Sequence, residues 1–291
     1  MNQMKHSYTI ITDSGSDFPK SLAKELDIHV ISLSVLVDGE EPKDDLLVDP
    51  KEFYGKLRSG KMAKTAAINL DQFLAEFEPF LKDGQDILFL GFSSGLSSTY
   101  HAAVTAAEEL RETYPDRKII TVDTLAASLG QGLIVYYAAK LREEGKTPEE
   151  TAKWVEDHRL SLAHWFTVDD LHFLKRGGRV SAATAMVGSM LQIKPVMHVD
   201  DEGHLVKVTT ARGRRASIKA LFDKIRETGI EPEKQIFFIS HGDCREDAEY
   251  LASLIREMYG DVEIVIDYIG AVIGAHSGPG TVALFFMGKN R

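Results

Sequence analysis

The segment Gly91-Phe92-Ser93-Ser94-Gly95-Leu96-Ser97-Ser98-Thr99 places five hydroxyls between an apolar run and a long Ala-rich helical run. Three chemistries fit it. Gly91 to Gly95 has the form G-x-S-x-G, which in a nucleophile elbow presents the central serine for attack on an ester. Ser93, then an aspartate, then His276 would follow the chain order of a serine hydrolase triad. Alternatively, the hydroxyls and the free N–H groups of the following helix cradle an anion without any lysine. The plainest reading is that Ser97 or Ser98 caps that helix and the rest is loop.

A second segment, Gly274-Ala275-His276-Ser277-Gly278-Pro279-Gly280, sets an imidazole among small residues, so backbone or ligand can come close to it. Such a group can donate a hydrogen bond to an anion or act as a base, although a satisfied core or surface histidine has the same appearance. His101, His164, His172, His198 and His241 have no partner at metal-ligand spacing, so no metal is expected. Asp13-Ser14-Gly15-Ser16-Asp17 follows a first strand, where nucleotide-binding chains carry a phosphate loop. It lacks both G-x-G-x-x-G and G-x-x-x-x-G-K-[ST], and its carboxylates repel phosphate, so a turn with a helix cap is the expected role. Two basic patches, Lys175, Arg176 and Arg179, then Arg212, Arg214, Arg215 and Lys219, are either a solvated face or a docking site for an acidic or phosphorylated group.

The elements that must carry these groups alternate. Tyr8–Thr12, Ile28–Val37, Asp86–Phe92 and Lys118–Val122 read as strands. Helical spacing covers 70–82, Ser97–Tyr114 and Thr124–Glu144. Thr147-Pro148-Glu149-Glu150 is an N-cap with a first-turn proline and an acidic first turn. Such units imply a parallel sheet covered by helices on both faces. After about residue 160 the pattern changes. Leu162–Val168 is strand-like, a helix and Lys175-Arg176-Gly177-Gly178-Arg179 follow, and an apolar stretch runs through Met197. Asp200-Asp201-Glu202-Gly203 then turns a hairpin, Gln235–Ser240 and Val262–Asp267 flank an amphipathic helix, and Thr281–Phe286 is the last strand. The expected fold is α/β in two domains: an N-terminal parallel-sheet α/β domain over 1–160 and a C-terminal α+β domain over 161–291.

The 291 residues exceed what one ordinary core fills, which agrees with two domains. A net charge of −10 and a pI near 5.5 argue against a nucleic-acid partner. The single cysteine, Cys244, excludes an internal disulfide and suits a reducing compartment. Met1 to His6 lead straight into a strand-like run without the apolar stretch of a secretory signal, and no segment approaches the ~20 apolar residues of a membrane span. A cytoplasmic location is expected.

Taken together, these segments resemble the DegV family, which includes the fatty-acid-binding subunits of bacterial fatty acid kinase. The resemblance covers nearly the whole chain. It rests on Asp13-Ser14 with Asp17, on Ser93-Ser94-Gly95-Leu96-Ser97 with Thr99-Tyr100, and on Leu174-Lys175-Arg176-Gly177-Gly178-Arg179-Val180-Ser181. Lys194-Pro195 and His276-Ser277-Gly278-Pro279-Gly280 complete it. The resemblance implies a non-enzymatic, lipid-binding protein that holds one long-chain fatty acid, such as a C16 (palmitate) or C18 acid, between its two domains. A separate ATP-dependent fatty acid kinase phosphorylates the presented carboxylate. No cofactor is implied beyond the bound acid. The implied carboxylate contacts are Thr65, Ser97 and His276, with Arg179 near the head group or the kinase surface, and kinase docking falls on Arg212, Arg214 and Arg215. Where the family shows Thr-Ser-Gln-Pro this chain has Thr65-Ala66-Ala67-Ile68-Asn69, and where it shows Arg-Thr this chain has Arg212-Gly213.

Overall fold

Residues 8–181 and 192–291 are described by a computed structural model of the chain. The readings made on Met1 to His6 and on the apolar stretch within 182–191 lie outside the described residues. The first elements are β1 (Tyr8–Asp13), α1 (Lys20–Glu25), β2 (Ile28–Ile31), β3 (Ser34–Val37), β4 (Lys43–Asp44), α2 (Pro50–Arg58), β5 (Ala63–Ala66), α3 (Leu70–Lys82), β6 (Asp86–Gly91), α4 (Thr99–Thr113), β7 (Ile119–Asp123), α5 (Leu129–Glu143) and α6 (Pro148–His158). Next come β8 (Leu162–Thr167), α7 (Leu171–Arg176), β9 (Ile193–Val199), β10 (Leu205–Arg212), α8 (Arg214–Thr228), β11 (Phe237–His241), α9 (Arg245–Tyr259), β12 (Ile264–Tyr268), α10 (Ala271–Ser277) and β13 (Val282–Met287).

The protein is a mixed α/β fold. β2-β1-β6-β7 form a four-stranded sheet whose pairings are all parallel. Its strands are apolar on both faces, as a sheet covered on both sides requires. Ile11, Ile87 and Phe89 pack with Phe73, Phe77 and Ala103 of α3 and α4, whereas Ile10, Leu88 and Leu90 pack with Leu129, Leu133 and Val155 of α5 and α6. A second sheet has the order β10-β9-β8-β13-β11-β12 and is antiparallel except between β11 and β12. Helices α8 and α9 cover its outer face through Ile218, Leu221, Leu251 and Ile255. Its inner face, including Phe166, Phe238 and Phe285, meets α5 in the same core that α5 shares with the parallel sheet. Helix α5 is therefore sandwiched between the two sheets.

Two expected elements divide differently. Ile28–Val37 is not one strand, because Ser32 and Leu33 turn it between sheets. The Leu33 N–H donates to Ser14 Oγ at 3.0 Å and its carbonyl takes the Asp45 N–H, so β2 joins the parallel sheet and β3 joins a small β4-β3-β5 sheet. The helix expected from Thr124 starts only at Leu129. The Thr124 side chain instead donates to the Gly91 carbonyl at 2.7 Å, and Leu125 and Ser128 have positive φ. The Thr147 cap forms as expected and closes a capping box with Glu150. The Asp200–Gly203 hairpin also forms, with Val199 opposite Leu205.

Candidate functional site

The carboxyl edge of a parallel sheet is where chain reversals leave backbone groups and space for a ligand. Here the turns after β2, β6 and β7 open toward the second sheet and line a cavity of about 280 Å³. Its wall is mostly apolar, with Phe92, Leu96, Ala127, Phe166, Leu205 and Ile273 among the lining residues. Thr65, Ser97, Arg179 and His276, far apart in sequence, all line it.

Thr65 lies on β5, opposite Val35 of β3. The stretch that starts there ends in Asn69, whose side chain caps α3 and forms a capping box with Gln72. Asn69 therefore has a structural role. Ser97 lies in the tight turn that the Ser93 carbonyl holds by accepting the N–H groups of Leu96 and Ser97. Its hydroxyl accepts the Thr99 N–H at 3.2 Å and shares a hydrogen bond with the Thr99 hydroxyl at 2.9 Å. Ser97 is thus a helix-start ligand and a cavity residue at once, while Ser98, at the N-cap, makes no side-chain capping bond.

His276 is not on a loop, as its Gly/Pro-rich surroundings suggest, but in the last turn of α10. Its Nε2 and the Thr65 hydroxyl share a hydrogen bond of 2.8 Å. Its Nδ1 is buried without a hydrogen-bond partner among the described residues, as is the hydroxyl of Ser277. Burial, and secondly the neighbouring Arg179 charge, pull the imidazole down to about 4, so it is neutral at pH 7. The Gly-Gly-Arg loop explains itself here. A Cβ at Gly177 would overlap His276 Nδ1, and Gly178 has a φ of +73°. The two glycines let the chain close over the histidine and turn Arg179 inward. Its Nε and Nη2 donate to the Leu96 carbonyl at 3.1 and 2.9 Å, and Nη1 donates to the Gly177 carbonyl at 2.5 Å. Burial lowers the guanidinium from its ordinary value.

The five hydroxyls of 93–99 do not converge. Ser93 is fully buried, donates to the Gly203 carbonyl at 2.9 Å and accepts the Gly95 N–H at 3.2 Å. A nucleophile elbow needs a strained, exposed serine hydrogen-bonded to its histidine. Ser93 has no positive φ, and His276 is bonded to Thr65 instead. The hydrolase geometry is absent. The Asp13–Asp17 turn has the structural role expected of it, with Asp13 accepting the N–H groups of Gly15 and Phe92.

The basic residues separate. Arg212 is the exposed last residue of β10. Arg214 is pinned, with Nε donating to Asp247 Oδ2 at 2.8 Å and Nη1 3.6 Å from Asp169. The Arg215 guanidinium stacks 3.9 Å from the centre of the Tyr250 ring. Cys244 is a half-buried thiol that donates to the Thr281 carbonyl, and desolvation pushes it up to about 12. Sequence reasoning did not single out His164, Phe166 or Ser128 as cavity residues. The alternation along Leu162–Thr167 puts His164 and Phe166 on one face, but both faces of that strand are buried, so the pattern carries no direction.

The profile of a family described as "Uncharacterised protein, DegV family" matches residues 7–289. A DegV domain-containing protein of Clostridium perfringens is 49% identical over 286 residues, 98% of this chain and 98% of that protein. The crystal structure of a DegV lipid binding protein from Thermotoga maritima is similar with a TM-score of 0.84 at 31% identity, over 98% of this chain and 99% of that one. A DegV family protein from Thermus thermophilus, solved with regard to its fatty acid binding, gives a TM-score of 0.86 at 31% identity, over 96% of this chain and 98% of that one. No helix of the described residues is long and apolar enough to cross a membrane.

Proposed function

Because the chain belongs to the DegV family, we propose that it binds one long-chain fatty acid, of the C16 or C18 class, and presents its carboxylate to a partner ATP-dependent fatty acid kinase in the cytoplasm. The observation that carries this reading is the cavity, which is apolar over most of its wall and has Thr65, Ser97, Arg179 and His276 among its lining. The tail gains about 0.8 kcal/mol per buried CH₂, or roughly 10 kcal/mol gross for a C16 chain. Association and ordering consume several kcal/mol of that. The tail thus supplies affinity and the head group orientation.

A carboxylate in such a place needs donors or it is expelled or protonated. With its proton on Nε2, His276 donates to Thr65, which frees the Thr65 hydroxyl proton for a ligand oxygen. Ser97 offers a second hydroxyl. Arg179, the nearby cation, balances the charge and spends most of its donors on backbone carbonyls, so it is pre-positioned rather than mobile. The protein contributes no catalytic group and no cofactor in this scheme. The phosphoryl chemistry belongs to the kinase, and Arg212 is the exposed cation on the docking side.

Native mass spectrometry of the purified protein, followed by denaturing lipid extraction, tests the reading. One fatty acid per chain is expected, with no labelling of Ser93 by a fluorophosphonate. A chain free of lipid that also fails to take up added palmitate or stearate would sink it.

A further inference from the structure

We propose that the deep end of the cavity holds a second polar station, the imidazole of His164, which selects acyl chains bearing a hydroxyl in their distal half. This rests on the fatty-acid reading and adds the class of acid. His164 lines the cavity and is 3% exposed. It makes no hydrogen bond to any described residue, and its Nδ1 is buried and unpartnered. That nitrogen abuts the first turn of α5, 3.0 Å from where a Cβ on Gly130 would stand, so the opposite edge bearing Nε2 is left to face the cavity. The ring is held in place by an edge-on contact with Phe285, centroids 4.6 Å apart.

A buried polar group without a partner is uncommon unless a ligand or water completes it. Burial holds the imidazole well below its ordinary value, with Arg291 and His198 adding to the effect, so it is neutral. A neutral imidazole offers one donor and one acceptor, which a hydroxyl matches and an ionised group does not. Ser128, on the same wall, is already bonded to Asp17 at 2.5 Å and Ser240 at 2.9 Å, so it does not compete. The strand register supplies the distance. His164 stands opposite Phe285, four residues along the chain from Thr281, whose hydroxyl donates to the Ser277 and Gly278 carbonyls beside His276. Four residues of strand span about 13 Å, the length of about ten methylene groups from ordinary carbon bond geometry.

The test compares affinities for stearate, 12-hydroxystearate and 2-hydroxystearate in the wild type, His164→Phe and His164→Gln. The wild type should bind 12-hydroxystearate at least as tightly as stearate. His164→Phe should weaken 12-hydroxystearate alone by about tenfold, since a buried hydroxyl is then left unpaired. His164→Gln, which keeps a donor and an acceptor, should restore it. Should the Phe variant not fold, the ¹⁵N imidazole signals of wild-type His164 decide, shifting with 12-hydroxystearate but not with stearate. Equal discrimination against 12-hydroxystearate in wild type and variants, or no selective ¹⁵N shift, overturns the proposal. A wild type that binds none of the three acids overturns the fatty-acid reading instead.

Discussion

The turn Asp13–Asp17 and the polar lining of the cavity are both rich in hydrogen-bonding groups, but they use them in opposite ways. In the turn both carboxylates are committed, Asp13 fully buried and Asp17 half-buried. Asp13 takes the N–H groups of Gly15 and Phe92 and the side-chain amide of Gln131, and Asp17 takes the Gly270 N–H and the Ser128 hydroxyl. Asp45, packed beside them, takes the Val272 N–H. These acceptors tie the ends of β1, β6, α5 and α10 together. At the cavity, His276 Nδ1 and the Ser277 hydroxyl have no hydrogen-bond partner among the described residues. A dense polar motif in the sequence therefore marks where a parallel sheet must satisfy its chain reversals. Scattered single residues with spare capacity mark where a ligand can enter.

The sharpest way to break this contrast is Asp13→Ala. It leaves the Phe92 and Gly15 N–H groups and the Gln131 amide buried without their acceptor, a loss on the order of 3 kcal/mol or more. Urea unfolding should show it, whatever lipid is added. Thr65→Val should act the other way, leaving the unfolding midpoint nearly unchanged and lowering fatty acid affinity by about 1.5–3 kcal/mol, the worth of a bond to a charged group. His276→Ala should cost a similar amount. Because the two side chains share one hydrogen bond, the double variant should lose clearly less than the sum. Full additivity in a calorimetric cycle would show that they act separately.

A smaller effect concerns pH. Burial, the largest cause in each case, raises Asp13 to about 7 and Asp45 to about 6, and lowers His241 and His276 to about 4. A raised carboxyl binds its proton more tightly when folded, so its stabilisation is full below about 4 and fades as pH rises to 6 or 7. A lowered histidine gives stabilisation that is full above about 6.5 and is lost as pH falls toward 4. The two groups oppose one another across that window, which predicts a shallow profile for the wild type. Asp45→Asn removes one carboxyl from the balance, so stability between pH 4 and 6.5 should rise more steeply with pH. A variant profile parallel to the wild type would mean that Asp45 titrates normally.

Much of the frame was legible from residues alone. Thr147-Pro148 and the Asp200–Gly203 turn acted locally, and the strands around Tyr8, Asp86 and Lys118 announced themselves by composition. The failures share a cause. Leu33 breaks an apparent ten-residue strand because Ser14, from another element, offers it an acceptor, and no local pattern encodes that. Helix α10 is short and glycine-rich, and it is stabilised by packing against Phe53 and Tyr54 rather than by propensity. Ser97, His276 and Arg179 stood out as candidates by residue chemistry, whereas Thr65 was reached only through the family resemblance. That Thr65 and His276 meet, 211 positions apart, depends on β5 and α10 being neighbours, which only the assembled fold supplies.

The smallest expected effect belongs to Arg212, and it tests whether the exposed cation at the end of β10 serves the ligand or the partner. Arg214 and Arg215 are engaged, one by Asp247 and Asp169, the other by Tyr250, so substituting them mixes docking with packing. Arg212 is exposed at the end of β10 and makes no ion pair with any described residue. Arg212→Glu should therefore leave stability within about 0.5 kcal/mol, as surface changes away from networks do. Lipid content should also stay the same, because the side chain does not line the cavity. If the kinase docks on this side, charge reversal slows phosphorylation of the bound acid at low salt. Raising the salt should then shrink the gap between variant and wild type, since screening weakens what the charge contributes. A variant that loses its fatty acid would place Arg212 with the head group. A variant phosphorylated at the wild-type rate across the salt series would place docking elsewhere on the surface.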